Sequence, residues 1–266
     1  MSQPLSWTQD DMGQQDPETE AATRRQLPDG LFTVYQPFVN LATGQVQGYE
    51  AFIRRGTAAA VDRPASFLPG ASQSDLICEL DAWVLKIALA QLASWHDATG
   101  SQDLILATNL AARHVLQPRV VKDVVTALQN ANVQADRLLL DISEISLLAD
   151  PDASGHLGTL RALGVCICLD SSELVGRDPA SALRDSPTDV VKLNPGFLDS
   201  TLTSRRAVAE FVGDVQDCGL PIVAGGIETA EQFDFARSIG CEWAQGFLLG
   251  EPRPAGQITP DRRITP

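Results

Sequence analysis

The sequence predicts an α/β fold, a variant TIM (β/α)8 barrel with an antiparallel first strand pair. Three observations predict it. Eight short β-rich runs recur along the chain, amphipathic stretches separate most of them, and the first two runs are joined only by NLATGQ. Strands alternating with crossover helices build a parallel sheet, whereas a link this short, with its Thr-Gly, permits only a hairpin. An open doubly wound sheet is the second reading. GVCICLD carries no G-x-G-x-x-G, so that sheet would lack its usual dinucleotide signature.

In chain order, LFTVYQPFV (31–39) and VQGYEAFI (46–53) form the predicted hairpin. SDLICELDAWVLKIALAQLASW follows, with apolar residues at 76, 77, 80, 83, 84, 87 and 88, the 3.6-residue pattern of a helix lying on a sheet over about 74–97. The remaining strands are LILATN (104–109), RLLLDI (137–142), VCICLD (165–170), DVVKLN (189–194), PIVAGG (221–226) and WAQGFLL (243–249). Helices are expected between them at 117–131, 154–163, 179–185, 203–218 and 229–239.

Residues 1–29 are polar, rich in Gln, Asp and Glu, and end in LPDG, so they are expected to be a flexible leader. Residues 30–256 form the barrel domain and 257–266 a C-terminal tail. With 20 Lys plus Arg against 34 Asp plus Glu, the net charge of −14 opposes attraction to DNA, RNA or anionic lipid. The longest apolar runs are strand-length, which argues against membrane insertion, and MSQPLSWTQDDMGQQDPETE lacks the basic and apolar regions of a signal peptide. The expected location is the cytoplasm. Five cysteines at 78, 166, 168, 218 and 241 are odd in number and show no CxxC pair, so small core residues in a reducing compartment explain them better than disulfides or zinc.

In a barrel the reacting groups sit at the C-terminal ends of the strands. Those ends carry Glu50, Asn109, Asp141, Asp170, Lys192, Gly225 and Gln245. Each alone has an ordinary explanation: Asp170 could cap the next turn, Glu50 could pair with Arg54 or Arg55, and Lys192 could be a solvated strand end. Six polar residues from six strands converging on one mouth make a site the more economical account.

YQPFVNLATGQVQGYEAFIRR resembles the opening of the EAL domain, a bacterial family whose members hydrolyse the messenger cyclic di-GMP to a linear dinucleotide. The resemblance continues through ATNLAAR, LLLDISEIS, VVKLNPGF, PIVAGGIET and GCEWAQGFLLG, over about residues 31–254. It implies a mouth that holds two Mg²⁺ or Mn²⁺ ions, which activate water against a phosphodiester. Hard divalent cations need several oxygen ligands, chiefly carboxylates. On this resemblance Glu50 stands at the name-giving Glu, with Phe52 replacing the motif's Leu, and Asn109 matches the family's Asn ligand. Asp141 replaces a Glu, Asp170 matches the first Asp of DDFG and Ser171 replaces the second. Gly225 replaces the first Glu of AEGVE, although Glu228 survives. Lys192 and Gln245 match the Lys that orients the water and the Gln near the metals, while Gln36 and Arg54 match positions that contact the dinucleotide.

The departures set the functional expectation. One metal could draw on Glu50, Asn109, Asp141 and Asp170, whereas the second keeps only the shared Asp170. SSELVGRDPASAL lacks the FGTGYSSL of active members, the segment that in the family links the site to dimerisation. The sequence is therefore identified as a degenerate EAL domain in cyclic di-GMP signalling, a non-hydrolytic nucleotide receptor or regulatory module with Lys192 as a vestigial catalytic group. Its expected ligand-binding set is Gln36, Arg54, Asn109, Asp170, Lys192 and Gln245. Mg or Mn is expected at one weak site at most, and the receptor reading requires none. The alternatives are a protein-binding regulator that no longer takes cyclic di-GMP and a weak metal-dependent phosphodiesterase. Input or output through an unidentified protein partner is expected, and a homodimer is compatible with the resemblance.

Overall fold

The computed structural model describes residues 27, 29–57, 60–62, 74–143, 150–174, 178–184, 186–198, 205–260 and 262–264. The expected leader lies almost wholly outside them.

Strands β1 (Leu31–Asn40) and β2 (Val46–Thr57) form the predicted hairpin, in register from Leu31 opposite Arg55 to Phe38 opposite Gly48, with a shift before Val39 opposite Val46. The turn closes because Asn40 Oδ1 accepts the amides of Ala42 and Thr43, both at 3.0 Å, while Gly44 takes the left-handed conformation (φ 69°). A short strand β3 (Ala60–Asp62) adds antiparallel to the end of β2. Then come β4 (Ile105–Asn109), β5 (Leu138–Ile142), β6 (Cys166–Asp170), β7 (Val190–Leu193), β8 (Ile222–Ala224) and β9 (Trp243–Gln245). The sheet runs β1-β9-β8-β7-β6-β5-β4-β2-β3 and closes through β1–β2, giving an eight-strand barrel with β3 appended. All neighbours from β2 through β4 to β9 are parallel, and β1 is antiparallel to β9 as well as to β2. Within the eight-strand barrel the inversion therefore belongs to β1 alone.

Helices cover the outside. They are α1 (Leu76–Thr99), α2 (Ala112–Val115), α3 (Val120–Ala131), α4 (Pro151–Ala162), α5 (Pro179–Leu183), α6 (Pro195–Leu198), α7 (Arg205–Asp217) and α8 (Ala230–Ser238). The apolar stripe of α1 buries Ile77, Leu80, Val84, Leu85, Leu89 and Leu92, and the helix stops at Gly100 (φ 69°). Local chemistry starts the others: Asp150 caps α4 ahead of Pro151, and Thr229 with Gln232 forms a capping box on α8.

Two expected strands end early. WAQGFLL leaves the sheet after Gln245 because Gly246 lies directly on the 227 backbone, where a β-carbon would come within 2.0 Å of Ile227 O, and Leu248 N then donates to that same oxygen. PIVAGG likewise ends at Ala224. The short helices α2 and α6 carry no amphipathic period long enough to announce them. Residues 175–177 and 185, inside the loop after Asp170, lie outside the described residues.

The chain after β9 stays on the barrel. Tyr35 and Arg253 exchange backbone hydrogen bonds at 2.8 and 3.0 Å, Tyr49 Oη donates to Thr259 O at 3.2 Å, and Ile264 N donates to Gly44 O at 2.8 Å. No helix among the described residues is long and apolar enough to cross a membrane.

Candidate functional site at the barrel mouth

The interior is layered by the period-two alternation of strand side chains. Phe38, Ala107, Leu139, Cys168, Val190 and Val223 plug the barrel with apolar groups. Two residues further toward the mouth on the same faces stand Gln36, Asn109, Asp141, Asp170, Lys192, Gly225 and Gln245, joined by Glu50 from β2. The alternation that makes the plug hydrophobic thus delivers a polar ring above it. Cys168, sealed in the plug, has its thiol pushed well up by burial and is chemically quiet.

One arc of the ring is interlocked. Lys192 Nζ lies 2.7 Å from Glu50 Oε2 and 2.8 Å from Asp141 Oδ2, and Asn109 Nδ2 donates to Glu50 Oε1 at 3.0 Å. The Glu50 and Asp141 side chains are only 3% and 7% exposed and that of Lys192 19%, so each charge depends on its partners rather than on water. Burial works against the Lys192 ammonium, but the Asp141 and Glu50 charges outweigh it and hold the lysine well above its usual range. Asp141 is raised, because burial together with the charge of Glu50 exceeds the relief from Lys192.

The opposite arc turns to its own backbone. Asp170 Oδ1 accepts Ser172 N at 2.7 Å and Ser172 Oγ at 2.6 Å, so Asp170 caps the 3-10 turn Ser171–Leu174 while still reaching the cavity wall. Ser171 is fully buried, and its Oγ accepts Asn194 N at 2.9 Å. Gly225 has no room for a side chain without movement, since a β-carbon would lie 2.8 Å from Leu193 O. Between the arcs, Gln245 Nε2 is buried with no hydrogen-bond partner among the described residues.

The cavity over this ring measures about 440 Å³ and is walled by Gln36, Glu50, Phe52, Asn109, Asp141, Asp170, Lys192, Gly225, Glu228 and Gln245. Ser143, Pro195, Gly226, Gly246 and Phe247 complete it. The strand-end reading passed over these five because Ser143 and Pro195 follow their strand ends and the strands expected to hold Gly226, Gly246 and Phe247 stop short of them. The signal for Phe247, 58% exposed beside the opening, was its place two residues after Gln245. Gln36 is on the wall, with Nε2 donating to Gly250 O at 2.9 Å. Arg54 is not on the wall: its Nη1 donates to Ile53 O at 2.9 Å and its guanidinium lies 5.6 Å from the centre of the Phe52 ring, which is.

Carboxylates and an amide oxygen are the donors a hard cation uses, so Glu50, Asn109, Asp141 and Asp170 fit one ion in chemical type. Their arrangement favours a different cation, the Lys192 ammonium already seated between Glu50 and Asp141. Among the described residues no group of three or more His, Cys, Asp or Glu is placed to hold a metal. On the other arc, Ser171 Oγ is held on Asn194 N and Gly225 carries no side chain, while Glu228 stands on the cavity wall.

The EAL domain family model matches residues 20–252, and the chain belongs to this family. Among curated proteins it is 33% identical over 244 residues to the bifunctional diguanylate cyclase/cyclic di-GMP phosphodiesterase MucR of Pseudomonas aeruginosa, covering 90% of this chain and 35% of that one. It is 32% identical over 250 residues to the cyclic di-GMP phosphodiesterase NbdA of the same organism, covering 92% of this chain and 32% of that one. The chain thus spans about a third of the length of these relatives. Among solved structures it superposes on the MucR phosphodiesterase in complex with c-di-GMP with a TM-score of 0.79 at 32% identity, covering 86% of this chain and 94% of that one. The BlrP1 complex of Klebsiella pneumoniae with manganese and cyclic di-GMP shares the fold, with a TM-score of 0.72 at 23% identity, covering 86% of this chain and 57% of that one.

Proposed function

We propose that this chain is a regulatory EAL domain in cyclic di-GMP signalling, one that binds the nucleotide at the barrel mouth and does not turn it over at an enzyme's pace. The observation that carries the reading is the second arc of the mouth: Ser171 is buried on Asn194 N, and Gly225 offers neither a ligand nor space for one. A metal pair stabilises both the attacking and the leaving oxygen of a phosphodiester, and a mouth with ligands for one ion forgoes several kcal/mol of that stabilisation. Binding keeps more support. The cavity retains Gln36, Lys192 and Gln245 with the rings of Phe52 and Phe247 beside them, and the MucR structure matched over this chain is a c-di-GMP complex. Gln36, Arg54, Asn109, Asp170, Lys192 and Gln245 are the proposed nucleotide contacts, and any Mg or Mn would be held singly by Glu50, Asn109, Asp141 and Asp170.

Calorimetric titration of the chain with cyclic di-GMP, with and without Mn²⁺, tests the reading beside a hydrolysis assay. Binding in both buffers with turnover far below about 1 s⁻¹ supports it. Turnover near that rate establishes the phosphodiesterase reading, which the intact Glu50–Asn109–Asp141 arc favours. No binding in either buffer leaves a protein-binding regulator, acting through a partner or as a homodimer.

A further inference from the structure

A buried charge cluster lies behind β4, outside the mouth. His114, on α2, has a side chain that is 0% exposed, with Nδ1 3.3 Å from Asp81 Oδ2 on α1 and Nε2 3.1 Å from Asp123 Oδ2 on α3. An ionised carboxylate only accepts hydrogen bonds, and neutral imidazole has a single N–H, so one of these contacts would fail with a neutral ring. Both carboxylate oxygens are already acceptors toward other groups: Asp81 Oδ2 takes the Ala111 N–H at 2.9 Å, and Asp123 Oδ2 faces Arg119 Nε at 3.4 Å. Those donors favour ionised carboxylates, against the burial that raises Asp81, and so place the protons on the ring.

We propose that His114 is an imidazolium at neutral pH and acts as a cationic staple, joining α1, α2 and α3 and fixing the backbone that leaves β4 behind Asn109. The route to Asn109 is short. Asp81 holds Ala111 N, and the intervening Leu110 N donates to Asp141 O at 3.1 Å, so the staple and the mouth grip adjacent peptide groups.

Among the described residues the charged neighbours are few. From α1 come Asp81, Glu79 and Cys78, with Asp75 just before it; α2 brings Arg113, paired with Asp75 at 2.9 Å; Arg119, just before α3, pairs with Glu79 at 2.7 Å and α3 itself brings Asp123. From α4, His156 Nδ1 bonds Val115 O at 2.8 Å rather than facing the ring. Burial alone would lower the pKa of His114, but the Asp123 and Asp81 hydrogen bonds and charges outweigh it and raise the group. A raised folded pKa places the staple's contribution fully below the unfolded histidine value of about 6.5 and removes it as pH climbs through the higher folded value.

The test reads the ring N–H correlations of the three histidines in the full ¹⁵N-labelled chain from about pH 5 to 9. Loss of one set in His114→Gln assigns the signal. Should that variant fail to fold, His156→Asn and His96→Asn assign it by elimination. The expected result is a doubly protonated His114 at neutral pH that titrates above the value of about 6.5 for free histidine. Across that titration, amide protection at 111–116, corrected for intrinsic exchange, should fall by about tenfold while protection at 230–238 holds. A single neutral tautomer at neutral pH, or unchanged protection at 111–116 through the titration, overturns the proposal.

Discussion

The two arcs of the mouth differ in where their polar groups are spent. On β2, β4, β5 and β7, Glu50, Asn109, Asp141 and Lys192 are satisfied by one another across strands. On β6 and in the stretch after β8, Asp170, Ser171 and Gly225 answer to nearby main chain or to a side chain two residues away. The first arrangement ties its charges to one another across strands, and the second leaves Asp170 on the cavity wall while part of its hydrogen bonding goes to Ser172. The family fold spans both arcs, so the difference between them lies in the side-chain partnerships rather than in the backbone that carries them.

The largest expected effect comes from breaking the first arc. Lys192→Met strands two buried carboxylates and should cost about 3–5 kcal/mol of stability by urea unfolding in chelated buffer. If Glu50 and Asp141 then accept a divalent ion, Mn²⁺ should return part of that loss in the variant and little in the wild type. An unchanged midpoint would mean that the ammonium is not what balances the arc. The same arc predicts a pH effect. Lys192 is raised in the folded chain, so its contribution is full below the unfolded lysine value of about 10.4 and declines above it. Wild-type stability should therefore drop in strong alkali more steeply than that of Lys192→Met.

Attempts to refill the second arc should cost next most. Ser171→Asp puts a charge at a fully buried position and is expected to lose about 3 kcal/mol. Gly225→Glu must displace Leu193 O and should lose about 1–3 kcal/mol. Both values come from unfolding curves, and a neutral result for either would show that this arc can reopen. Arg54→Ala is expected to weaken cyclic di-GMP by about 1.5 kcal/mol in calorimetry, the low end for a charged hydrogen bond, because the guanidinium is already committed to Ile53 O and Phe52. The smallest effect belongs outside the mouth: Thr229→Ala removes one half of the α8 capping box and should lower stability by about 1 kcal/mol without altering ligand affinity.

The barrel was legible because hydrophobic period and short links are local. β-rich runs, the apolar stripe of α1 and the NLATGQ hairpin appear where the residues predict them. The side chains that ring the mouth were legible too, as strand-end residues. Their partnerships were not, since Lys192 meets a carboxylate 142 positions away and nothing local encodes that meeting. Asp170 proved to be both a cavity residue and a turn cap, a choice of rotamer that sequence does not specify. Ser171 reads as a lost ligand in sequence, and its burial under Asn194 N is visible only once β6 and β7 lie side by side. The His114 cluster gave only a faint signal, one histidine in NLAARH whose acids come from two other helices.

The inverted strand bears on the order in which this molecule is expected to be completed. β1 meets β2 along nine paired positions within one hairpin, but meets β9 at only three: Phe38 with Gln245, Val39 with Ala244 and Asn40 with Trp243. Local pairing is fast and long-range closure slow, so the hairpin is expected early and the β1–β9 seam late in folding. Gln245 sits in that seam. A nascent barrel missing only its final three-residue clasp would still lack one wall of the mouth cavity, so any competence for ligand there would report that the cylinder has shut.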